Sequence, residues 1–176
     1  MRSAPILASC AAAALTVAAP AAADDGPDLQ PAPQAAIVAG AKACLGTTVD
    51  PAGQAGRLAG WVSATPEQRK GMHADADADI VTRDNVLIVY KTGADGGCVV
   101  MAKGDNAFDP ATLYPQISAV VGVTVPPPTA DAKPTPVNLP NGELLVPVIT
   151  PKTATEAANI ILVIANSAGK FAKKGN

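Results

Sequence analysis

Apolar residues recur along this chain in two different periods. Between Gln34 and Leu45 an Ala-rich stretch places Ile37, Val38, Ala41 and Leu45 at helical spacing, and Gly46 follows as a carboxy-terminal cap. A helix is predicted there, with Cys44 near its end. Three further helix starts carry an N-cap acceptor followed by proline at the first helical position: Asp50-Pro51, Thr65-Pro66 and Asp109-Pro110. After the first, Leu58 and Trp61 share a face, although Gly53, Gly56 and Gly60 weaken the helix. After the second, Gln68 completes a capping box. After the third, Leu113, Ile117 and Val120 line one side, with Pro115 near the first turns.

Strand-like runs occupy the rest. Asn85 to Thr92 and Cys98 to Lys103 are rich in β-branched and apolar residues and are separated by Gly93-Ala94-Asp95-Gly96-Gly97, which predicts a hairpin. Residues 125–136 hold five prolines, each lacking an amide donor, so an extended surface connection is expected instead of a central strand. Pro140-Asn141-Gly142 then marks a turn before Leu144 to Ile149, where Pro147 demotes the run to an edge or bulged strand. Asn159 to Ala165 is the most apolar segment beyond residue 24 and predicts a central, buried strand. The order of elements predicts an α+β domain: N-terminal helices, then a mostly antiparallel four- to five-stranded sheet with helices packed on one face.

The first residues change the expected compartment. Arg2, an apolar run from Ile6 to Ala19 and Ala21-Ala22-Ala23 before two aspartates have the three-part layout of a secretory signal peptide, with cleavage expected after Ala23. The run is too short to span a hydrocarbon core, which takes about 20 apolar residues. Leu7-Ala8-Ser9-Cys10 resembles the lipobox of bacterial lipoproteins. Too little apolar sequence precedes Cys10, however, and the run continues past it, so Cys10 is expected to leave with a leader at 1–23. Residues 24–33, Pro-rich and polar, are then a flexible tail, 34–169 a single domain, and 170–176 a basic carboxy-terminal tail. The expected location is periplasmic or secreted, in an oxidising compartment where Cys44 and Cys98 form one disulfide between the first helix and the second hairpin strand.

Charge and composition remove several classes of function. Without Arg2 the mature chain is net acidic, with no concentrated basic face, so nucleic acid is not an expected partner. Two Phe, two Tyr and one Trp leave the core to Ala, Val, Leu and Ile and provide few stacking platforms. Trp61 is expected as the largest piece of core.

The single histidine, His73, must serve any Ser-His-Asp pair or His-based metal site, and no GxSxG elbow or phosphate-binding glycine loop occurs. Three fragments resemble motifs of serine β-lactamases and penicillin-binding proteins: Ser167 to Lys170 fits SxxK, Lys91-Thr92-Gly93 fits KTG, and Arg83-Asp84-Asn85 approximates SDN. They run in reverse order to that family and are taken as coincidence. His73, Asp75, Asp77 and Asp79 form the most unusual local composition. In an extended chain the three carboxylates would point to one side, where they could hold a hard cation such as Ca²⁺ and support a cation-assisted hydrolase. A solvated acidic loop is the simpler expectation.

No complete nucleophile, base and oxyanion set exists, and no cofactor is expected. The expected function is therefore a non-catalytic binding module, monomeric by default. It would take a protein or small ligand of the cell envelope on the open sheet face or at the edge near Pro147. An inhibitor-like display of loop 125–136 is the other binding reading.

Overall fold

The computed structural model describes residues 27–70, 72, 74–127 and 134–169. The expected leader, Cys10, His73, the middle of the Pro-rich connection and the expected basic tail lie outside the described residues. Within them, eight strands form one sheet: β1 Pro31–Ala32, β2 Val62–Ser63, β3 Asp79–Arg83, β4 Val86–Lys91, β5 Gly97–Gly104, β6 Val137–Asn138, β7 Glu143–Thr150 and β8 Asn159–Asn166. The spatial order is β2-β3-β4-β5-β8-β7-β6, with every neighbouring pair antiparallel, while β1 adds in parallel to the end of β5. The helices are α1 Gln34–Cys44, α2 Gln54–Arg57, α3 Pro66–Arg69 and α4 Pro110–Val121.

This corrects the expected α+β architecture of N-terminal helices and a four- to five-stranded sheet. The molecule is sheet-rich, its helices are few, and a strand precedes α1. The expected second helix shrinks to a 3₁₀ turn over Pro51–Gly53, capped by Asp50, and the four residues of α2. Its glycines are the reason, since Gly60 turns the chain at φ +81°. Short stretches without a strong apolar signal become strands because longer neighbours offer them a ladder. Val62–Ser63 pair with Val81 and Thr82, Val137–Asn138 with Leu144 and Leu145, and Pro31–Ala32, expected in the tail, with Lys103 and Gly104.

The largest addition is β3. It folds back on β4 through Asp84 and Asn85, both at positive φ (49° and 64°), the two-residue turn whose twist matches paired strands. The hairpin expected over Asn85 to Lys103 is present as β4 and β5, closed by the pair Lys91 and Gly97. The run Asn159 to Ala165 lies centrally, between β5 and β7. Pro147 occupies the part of β7 beyond the two residues that β6 pairs with.

Helices α1 and α4 supply Ile37, Ala41, Leu113 and Ile117 to a core shared with Val86, Ile88, Val100, Ile160, Leu162 and Ile164 of the sheet. Trp61 packs against this core, half buried. Asp109 caps α4 by accepting the Ala111 amide at 3.0 Å, and Gly122 ends the helix at φ +76°. The disulfide between Cys44 and Cys98 is formed, with Cα atoms 5.4 Å apart and both residues fully buried, and it joins the end of α1 to β5. Such a bridge stabilises by about 2–4 kcal/mol.

Gly40 sets how close α1 lies. A β-carbon there would stand 2.8 Å from Val100 Cγ1 and 3.2 Å from Val86 Cγ1, and neither stiff side chain can swing away. Gly40→Ala should therefore destabilise by about 1–2 kcal/mol despite alanine's better helix propensity. Chemical denaturation checks this, and a gain in stability would mean that α1 is not pinned.

Candidate ligand-binding face

Side chains alternate across the sheet, so each strand also points residues away from the helices. On that second face the register aligns rows across β5, β8 and β7: Met101, Ile161 and Val148; Val99, Val163 and Val146; Gly97, Ala165 and Leu144. A solvated sheet face ordinarily carries polar residues. Here the rows are apolar, yet Val99, Met101, Val146, Val148 and Val163 remain part-exposed and Ile161 is 38% exposed. The row at one end is polar instead, formed by Lys103, Asn159 and Thr150.

Raised segments flank the strip. Leu29, Met72 and Ala74 pack over Ile80 and Leu87 on the β3 and β4 side, in a small cluster with Ala64 that Val89 and Met101 also touch. Two clefts result. One of about 790 Å³ is lined by Leu29, Met101, Lys103, Thr150, Asn159 and Ile161, with the 155–157 loop at its rim. The other, of about 260 Å³, lies under Ala74, Asp75 and Ala78 and has Val89, Val99 and Val163 among its lining. Both open onto the same face.

The acidic segment closes one end of this face. It is not extended, because the Ala78 amide donates to the Asp75 carbonyl at 3.0 Å and forms a turn. Asp77 bonds Lys91 at 2.6 Å, which holds the Asp77 carboxyl below the usual range and raises Lys91. Asp79 lies in β3 opposite Tyr90, in the row that runs through Cys98 on the helix-covered face. Burial and then the Asp79 charge raise the Tyr90 hydroxyl. Asp77 and Asp79 therefore serve opposite faces, and among the described residues no group of three His, Cys, Asp or Glu converges.

One polar cluster escapes the sequence altogether. Glu143, at the start of β7, is fully buried, and its carboxylate accepts from the amides of Gly46 (2.7 Å) and Thr48 (2.9 Å), the Thr48 hydroxyl (2.9 Å) and Asn141 Nδ2 (2.7 Å). Beside it, buried Thr47 donates to the Cys44 carbonyl at 2.7 Å, and Gln54 Oε1 accepts from Arg57, which also pairs with Asp50 at 2.7 Å. The Arg57 hydrogen bond holds the Asp50 carboxyl below its usual range. All four donors around Glu143 reach its carboxylate, so the cluster fixes the chain after α1, while Arg57 Nε beside it is buried without a hydrogen-bond partner among the described residues. Its sequence signal is limited to an acid one residue beyond an Asn-Gly turn.

No family model, curated protein or solved structure matches the chain. The functional reading rests on the geometry.

Glu143→Gln keeps the shape but turns an amide donor toward groups that are themselves donors. It should cost about 1–3 kcal/mol, read as a lower melting temperature at about 2–4 °C per kcal/mol for a chain of this size. An unchanged melting temperature would show that the clamp does not hold the fold.

Proposed function

We propose that this is an exported, non-catalytic binding module that takes its ligand on the face of the sheet opposite α1 and α4. The observation that supports it most is the apolar strip of Val99, Met101, Val146, Val148, Ile161 and Val163, part-exposed in the middle of the sheet. Contiguous exposed apolar surface mostly marks a site of interaction. The two clefts give the strip relief, and a concave apolar surface with a few polar groups is the usual form of a small-ligand site. The Cys44–Cys98 bridge supports an oxidising compartment. The signal-peptide layout of residues 1–23 supports export.

Replacing Ile161 and Val163 together by threonine keeps β-branching and removes apolar surface. Because both side chains face outward, the cost in stability should stay near 1 kcal/mol, about 2–4 °C in melting temperature. Native protein is expected to enhance the fluorescence of the neutral dye Nile red, and the double variant to weaken that binding at least tenfold. A wild-type protein that leaves the dye dark, or a variant that binds it equally well, would overturn this reading.

A further inference from the structure

The open face is graded along its strands, which narrows the chemistry of its occupant. At one end stands the polar row of Lys103, Asn159 and Thr150, and beyond it come three apolar rows ending at Gly97, Ala165 and Leu144. Lys103 is part-buried in the floor of the 790 Å³ cleft and has no ion-pair partner among the described residues. Lys91, which also lies on this face, is already neutralised by Asp77. From Lys103 to Gly97 the strand advances by roughly 20 Å, and the two clefts open over the two ends of that path.

We infer that the face binds a single-chain amphiphile with an anionic carboxylate head, of the class of long-chain fatty acids. Its head would meet Lys103 Nζ, with Asn159 and Thr150 as neutral donors, and its chain would lie along Met101, Ile161, Val99 and Val163. This rests on the open face being the binding site. Charge complementarity selects the head: an ammonium would be set against the Lys103 ammonium, whereas a carboxylate would give it the partner it lacks. Asp28 and Glu156 also line this cleft, but both are exposed at its rim. The segments around Leu29 and Met72 stand up from one side of the strip, so a second flat sheet cannot lie against it, while a slender chain can. No covalent step is involved.

The test is calorimetric titration of the purified full chain with dodecanoate, octanoate and dodecylamine, each below its micelle concentration. Dodecanoate is expected to bind saturably at one site. Octanoate should bind at least tenfold more weakly, since each methylene laid on a half-open apolar strip is worth roughly twofold, half the free energy of full burial. Lys103→Met should weaken dodecanoate at least tenfold while leaving the melting temperature unchanged, and Lys103→Gln should behave alike. Equal affinity for dodecylamine, a silent Lys103→Met, or binding to phosphatidylglycerol vesicles without binding of the monomeric acid would each overturn the carboxylate assignment. Those results leave Nile red binding, and with it the open-face reading, standing; a dark dye with wild-type protein would instead remove that reading itself.

Discussion

Cys44 and Cys98 join the end of α1 to the middle of the sheet, and the chain that follows is seized by Glu143 through the amides of Gly46 and Thr48. One tether is covalent and reaches β5; the other is a set of hydrogen bonds and reaches β7. Between those strands runs β8, so the two tethers straddle the central strand and fix α1 over it. Gly40 permits the close approach that this fixation requires. A chain with so few aromatic residues cannot fill a thick interior with large rings, and a helix held tightly on small residues is the alternative.

That arrangement spends both long helices on one side of the sheet. Among the described residues the opposite side has Leu29, Met72 and Ala74 over its β3 and β4 end, where Met101 packs against the same cluster, and the strands β5, β8 and β7 leave their valines on that side and Ile161 part-exposed. Selection against aggregation would place polar residues there unless the surface served another purpose. The polar row at Lys103 and the Asp77–Lys91 pair then act as the two ends of an apolar track. The face has direction, which a merely unfinished core would lack.

Much of this was legible from residue order alone, and the gaps have physical causes. The helices α1 and α4, the β4–β5 hairpin, β8 and the disulfide each carry a strong local signal: apolar period, cap, turn glycine, or an even pair of cysteines. The short strands carry none, because Val62–Ser63 and Val137–Asn138 are strands only by virtue of the ladders beside them. The turn at Asp84-Asn85 did have a signal, two residues tolerant of positive φ between alternating runs, which was masked by reading Asn85 as the start of a strand. β8 is covered in part: Ile160, Leu162, Ile164 and Ala165 are buried, and Ile161 is not. An apolar run reads the same whether one or both faces are covered. The Glu143 clamp was hard to foresee because, Asn141 apart, its partners lie 95 and more residues away in sequence. The acidic alternation at 75–79 was visible, but not the turn that separates its members.

The account depends most on the difference between the two faces of β8. Methyl-resolved NMR with a soluble gadolinium chelate measures it directly, since relaxation enhancement reports how near each methyl comes to solvent. The methyls of Ile161, Val163, Val99 and Val146 are predicted to relax strongly and those of Ile160, Leu162, Ile164 and Val100 weakly. Equal protection of both sets would contradict an open apolar face and the binding role built on it.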